Sequence, residues 1–130
     1  MKKLLDKVYM KPTQKEVDEL WSILIKLRAG NKSELSGKTE GLNSHHLRGK
    51  SCRALRYSLD NGFCCTKGEH FFGFHHISRY EDYEGRVKLL RGKYIFQKLR
   101  DLKKVKDSRS LTEIKEWLEG EINENNTPII

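Results

Sequence analysis

The sequence predicts an α+β domain in which helices on both sides frame a non-helical middle. Three observations carry that expectation. Helix-start signals followed by apolar residues at helical spacing lie on both sides of the chain. The stretch from Asn31 to Ile77 is rich in Gly and Ser and has no helical period over most of its length. A chain of 130 residues with 36% hydrophobic residues has enough apolar matter for one modest core and not for two. The expected organisation is therefore a single domain over 1–130, with an N-terminal helix over 13–30, a core over 31–77 and a helical C-terminal part over 78–124.

Each element has its own local reason. Thr13-Gln14-Lys15-Glu16 is a capping box, and Val17, Leu20, Trp21, Leu24 and Leu27 follow on one helical face, so a helix should run to about Arg28 and stop near Gly30. Ser78-Arg79-Tyr80-Glu81 is a second start signal, leading toward Leu89-Leu90 and a break at Gly92. Tyr94 to Val105 offers Ile95, Leu99, Leu102 and Val105 as a third amphipathic helix. Ser110-Leu111-Thr112-Glu113 opens the last, with Leu111, Ile114, Trp117 and Leu118 on one face. Trp21 and Trp117 are expected as core anchors. In the middle, Asp60-Asn61-Gly62 is a strong turn signal.

Charge points to a polyanionic partner. The formal net charge is +8, and Lys or Arg placed near phosphates releases condensed counterions. From Gly41 to Leu59 there is no acid, whereas Arg48, Lys50, Arg53 and Arg56 are basic. From Arg86 to Lys106 nine basic residues face one acid, Asp101. The sign reverses beyond Leu111, with Glu113, Glu116, Glu119, Glu121 and Glu124. A nucleic-acid face that omits the C-terminus fits this pattern, although for any single Lys a solvated helix face is the better reading. There is no apolar run of membrane-spanning length, which excludes a spanning helix. The basic start, MKKLLDKVYMK, lacks the apolar stretch of a secretory signal. Cys52, Cys64 and Cys65 are an odd number with two adjacent, so a disulfide framework is not expected and a reducing cytoplasm is the default compartment.

All five histidines, His45, His46, His70, His75 and His76, fall between residues 45 and 76. That clustering suggests a metal or acid–base role. A structural zinc site and a set of unliganded surface histidines are the competing readings. Adjacent residues on an extended backbone point to opposite sides, so His45 and His46 suit two different tasks. One imidazole can hold a divalent cation while its neighbour takes a proton from water.

The ordered set Asn43-Ser44-His45-His46-Leu47-Arg48-Gly49-Lys50, then Leu59-Asp60-Asn61-Gly62, then His70, resembles the HNH endonucleases of the His-Me finger superfamily. Eight residues separate Asn61 from His70, the family's usual interval. The resemblance covers about residues 28 to 76 and implies a ββα-metal insert. It makes His45 a metal ligand at the end of the first strand and His46 the general base that activates water. It makes Asn61 the residue that pins the inter-strand loop by side-chain hydrogen bonds, and His70 a ligand on the helix after the second strand. The family's third ligand commonly follows one helical turn later, where this chain has Phe74. His75 is the favoured third ligand, with His76 next. Arg48, Lys50, Arg53 and Arg56 occupy the loop that the family brings to the sugar-phosphate backbone.

Many members of that family add a structural zinc held by two Cys-x-x-Cys pairs. The corresponding stretches read Ser33-Glu34-Leu35-Ser36-Gly37 and Thr66-Lys67-Gly68-Glu69, without a thiol. No structural zinc is expected there, because hydroxyls are poor zinc ligands. The flanking helices, through Trp21, Leu24, Tyr94, Phe96 and Leu99, are expected to supply the missing burial, with at least one of Cys64 and Cys65 buried in the second strand.

The expected activity is metal-dependent hydrolysis of phosphodiester bonds in DNA, by nicking or double-strand cleavage. One divalent ion (Mg, Mn, Ni or Zn) is expected as cofactor. RNA stays open as a substrate, and a homodimer or a phage or host protein as a further partner. The rival is a nucleic-acid-binding protein that keeps the fold without cutting, and a third reading is a metalloprotein with no nucleic-acid role.

Overall fold

The computed structural model describes residues 10–69 and 77–126. Among the described residues the chain forms six helices and one two-stranded antiparallel sheet. In chain order these are α1 (Gln14–Arg28), β1 (Leu42–His46), α2 (Arg53–Arg56), β2 (Gly62–Thr66), α3 (Lys67–Glu69), α4 (Ile77–Arg91), α5 (Ile95–Leu102) and α6 (Leu111–Asn126). Mixed helix and sheet defines the α+β class. The finer ββα-metal arrangement includes the stretch 70–76, which lies outside the described residues. No helix among the described residues is long and apolar enough to cross a membrane.

The helix ends follow their local chemistry. Thr13 caps α1, its Oγ1 accepting from the Glu16 amide at 3.2 Å. At the other end Gly30 takes φ +71°, the left-handed conformation that glycine adopts without strain. The Gly30 amide then reaches the Leu27 carbonyl and the Asn31 amide the Lys26 carbonyl, which closes the helix in a Schellman turn. Ser110 and Glu113 cap α6 reciprocally, the Glu113 amide donating to Ser110 Oγ at 3.1 Å and the Ser110 amide to Glu113 Oε1 at 3.4 Å. Ser78 lies one residue inside α4 as its described bounds run. The third predicted helix starts one residue late and stops at Leu102, with residues 103–105 in turns.

The β1–β2 ribbon separates two apolar clusters. Its register pairs His46 with Gly62, His45 with Phe63, Ser44 with Cys64, Asn43 with Cys65 and Leu42 with Thr66. Phe63 and Cys65 pack with Tyr83 and Val87 of α4 and with Ile95, Phe96 and Leu99 around α5. Cys64 packs on the other face with Val17, Trp21, Leu24 and Ile25 of α1 and with Ile114 and Leu118 of α6. The period-2 alternation of β2 thus feeds two cores from one strand, which is why both cysteines are fully buried. Trp21, Leu24, Phe96 and Leu99 are buried as expected, but Tyr94 is 69% exposed. It precedes α5 as its cap residue, off the helix's buried stripe.

Gly62 is where α1 and the ribbon approach most closely. A Cβ there would overlap Ile25 Cδ1, lie 2.6 Å from Ile25 Cγ1 and 3.0 Å from Trp21 Cζ2. Overfilling a packed core costs roughly 1–3 kcal/mol. Gly62→Ala should therefore lower the urea midpoint by a corresponding amount with an unchanged m-value, whereas Gly68→Ala, with only Thr66 Oγ1 at 3.9 Å, should not.

Candidate functional site

His46 ends β1 on the face covered by α1, since its cross-strand partner Gly62 meets Trp21 and Ile25 there. Its imidazole stacks on the Trp21 indole with centroids 4.0 Å apart and planes 4° from parallel. Trp21 is itself fixed, its Nε1 donating to the Ser58 carbonyl at 3.1 Å. At the ring's edge, His46 Nε2 lies 3.0 Å from the Arg56 carbonyl oxygen. A carbonyl can only accept, so Nε2 carries the hydrogen and Nδ1 keeps the lone pair. Arg56 is the last residue of α2, where helix carbonyls lack intrahelical partners, and the ring takes up that acceptor. Burial pushes the imidazole pKa below the usual 6.5; the Arg56 carbonyl opposes this, while the Lys50 and Arg56 cations add to it. The shift favours the neutral imidazole.

The carbonyl that orients His46 is held from the side. The Arg56 guanidinium makes a bidentate pair with Asp18 of α1, Nε to Oδ1 at 2.8 Å and Nη2 to Oδ2 at 2.6 Å. Burial, the largest single influence, would raise the Asp18 pKa, but the bonds and charge of Arg56 together with Tyr57 and the Lys50 charge hold the carboxyl below its usual value. Asp18, Trp21 and Ile25 follow at helical spacing on one face of α1. Helical spacing from Trp21 was the signal by which Asp18 could have been found from sequence, but nothing local pairs it with Arg56.

Asn61 is fully buried and makes three side-chain hydrogen bonds to the inter-strand loop. Its Oδ1 accepts from the Arg48 amide, and its Nδ2 donates to the Gly49 and Leu55 carbonyls, each at 2.9 Å. Its own carbonyl accepts from the Leu47 amide at 2.8 Å. The bond to Leu55 is made one residue before Arg56, so Asn61 also sets the position of the carbonyl on which His46 rests.

His45 lies opposite Phe63, on the ribbon face that α4 and α5 cover. That places the two histidines on opposite faces of the ribbon. His70, His75 and His76 fall outside the described residues, in the stretch that leads into α4. Among the described residues no group of three or more His, Cys, Asp or Glu side chains is placed to hold a metal ion. A nitrogen donor set of His45, His70 and His75 has the chemistry of a divalent transition-metal site.

The four basic loop residues have different surroundings. Arg48 pairs with Glu84 at 2.6 Å and lies 3.9 Å over the Phe96 ring. Arg53 donates from Nη1 to the Arg109 carbonyl at 2.5 Å. Lys50 is exposed, and its charge bears on both His46 and Asp18. With Gln14, Arg53, Arg56 and Tyr57 it lines a cleft of about 270 Å³. A larger hollow of about 840 Å³ lies among Ala54, Leu102, Val105 and Trp117 and touches none of the sequence-predicted site residues. Within it Lys98 pairs with Asp60 and Arg109 with Asp107; the cleft beside Lys50 is lined by Arg56, whose carbonyl meets His46, but not by His46 itself.

The stretches aligned with the two missing thiol pairs meet in space. Ser33 Oγ donates to Glu69 Oε2 and Ser36 Oγ to Glu69 Oε1, both at 2.8 Å. The Glu69 amide in turn donates to Thr66 Oγ1 at 3.1 Å. Compared with protein-family models, curated proteins and solved structures, the chain matches none.

Proposed function

We propose that this chain is a metal-dependent endonuclease of HNH type that hydrolyses phosphodiester bonds in DNA, with His46 as general base. The observation that carries the reading is the hydrogen bond from His46 Nε2 to the Arg56 carbonyl, which assigns the hydrogen of the neutral imidazole to Nε2 and its lone pair to Nδ1. Nδ1 takes a proton from water as the water oxygen bonds to phosphorus. The bond from phosphorus to the leaving sugar oxygen breaks, and that oxygen takes a proton from solvent. Asn61 acts as a positioning residue, holding the loop and, through Leu55, the end of α2. Lys50 and Arg53, with Arg48 and Arg56 behind them, place the strand by its phosphates. His45, His70 and His75 would hold the divalent cation (Mg, Mn, Ni or Zn), which when bound supplies Lewis acidity to the phosphate and charge neutralisation at the leaving oxygen.

The test is cleavage of supercoiled plasmid across those four metals, with and without chelator. Cleavage that needs a divalent ion and stops on chelation is expected; binding in a gel shift without cleavage under any metal would support the non-cutting rival instead.

The pH dependence has a defined sign. A base works only when unprotonated, and burial lowers the His46 pKa from 6.5. The rate should rise with pH, reach half its plateau below pH 6.5 and fall as pH drops through that point. A half-maximum above 6.5 in single-turnover cleavage would exclude the desolvated imidazole as the titrating group.

A further inference from the structure

We infer that Ser33, Ser36, Thr66 and Glu69 form a metal-free cross-link that takes the place of the structural zinc which the family resemblance would put there. The residues do not fit a zinc ion. Three of the four side chains are neutral hydroxyls, and the two serine hydrogens are directed at a carboxylate.

The polarity of a zinc site is inverted. In a zinc knuckle a central cation gathers electron-pair donors; in this chain a central carboxylate gathers hydrogen donors. The Glu69 carboxylate takes one serine on each oxygen at 2.8 Å, with the Thr66 amide 3.4 Å from Oε1. Each partner pair is separated by two residues, so each sits on one turn. The first turn is closed by the Gly37 amide on the Ser33 carbonyl at 2.9 Å and the Ser33 amide on the Lys38 carbonyl at 2.8 Å, with Gly37 at φ +78°. Ser33 Oγ also accepts from the Leu35 amide at 3.1 Å and the Ser36 amide at 3.2 Å, which aims its own hydrogen outward to Glu69. The second turn is α3, held by the Glu69 amide on Thr66 Oγ1. Ser33 is only 4% exposed, so its hydroxyl exchanges little with water. The cross-link joins the loop before β1 to the turn after β2, and it stands whatever the chain does to nucleic acid.

Two measurements test it. The first is a cycle of Ser33→Ala, Ser36→Ala and Glu69→Gln followed by urea unfolding. A hydrogen bond to a charged group that is lost should raise the unfolding equilibrium constant roughly tenfold to a hundredfold. Because all three changes break the same unit, the triple variant should lose little more than the worst single one. Fully additive losses, or losses near zero, would overturn the cross-link. The second converts all four positions to cysteine and titrates with Co²⁺. The expected result is one equivalent more than the wild type binds, with tetrahedral absorption and thiolate charge transfer, and loss of that signal when any one of the four reverts. A folded four-cysteine variant without the extra equivalent would show that the four positions do not converge as a metal knuckle would; if it does not fold, the unfolding cycle still decides.

Discussion

Replacing His46 by Ala is expected to lower the single-turnover cleavage rate by about 10²–10⁴-fold, the usual contribution of a positioned general base. The loss should come with a small change in stability. His46 is partly buried, and its stack on Trp21 is worth about 0.5–1.5 kcal/mol by analogy with other ring pairs. Urea unfolding of the variant should therefore remain cooperative with a modestly lowered midpoint, and affinity for uncleaved DNA should be little changed, because the proposed phosphate contacts lie with the basic loop. A variant that loses DNA affinity in proportion to its rate would make His46 a binding residue.

Asn61→Ala should be the most disruptive polar substitution among the described residues. It removes three hydrogen bonds of a fully buried side chain, the one to the Leu55 carbonyl buried and those to the Arg48 amide and Gly49 carbonyl half-buried. Leaving a buried polar group unsatisfied costs about 1–3 kcal/mol, and allowing for relaxation a total of roughly 3 kcal/mol is expected, a large share of a small domain's stability. Asn61→Asp discriminates between shape and hydrogen bonding. It keeps an acceptor for the Arg48 amide but sets a carboxylate against two carbonyl oxygens, so it should destabilise at least as much as Ala despite its near-identical volume. If Asp is tolerated, the donor half of the lock is unimportant. Because Leu55 adjoins Arg56, cleavage by any Asn61 variant that still folds should fall further than the lost stability explains.

The parts legible in the sequence are those set by near neighbours. Thr13 and Ser110 announce their helices because a cap and its partner are three residues apart. The Gly30 stop, the burial of at least one of Cys64 and Cys65, and the loop-pinning hydrogen bonds of Asn61 followed from short patterns or from the ordered resemblance. What sequence reasoning missed depends on long-range meetings. The pair between Asp18 and Arg56 joins residues 38 apart, and the bond from Trp21 to Ser58 joins residues 37 apart. Trp21 was expected as a core anchor and is one, yet the same indole also carries His46. The basic loop reads as uniform cation in sequence, whereas α2 within it turns Arg56 inward to Asp18 and Arg53 toward the Arg109 carbonyl. Tyr94 misleads because it is apolar at a helix start, where the cap position points it off the buried stripe.

His46 Nδ1 is proposed to take the proton from water. The most direct measurement is single-turnover plasmid cleavage by the wild type and by His46→Gly, side by side, with and without added imidazole in a buffer containing the divalent metal that best supports the wild type. With His46 as the base, the wild type should cleave with metal, the variant should lose nearly all activity, and its rate should climb with free imidazole base beside the Trp21 face. A His46→Gly chain that cleaves at the wild-type rate without imidazole would contradict that role.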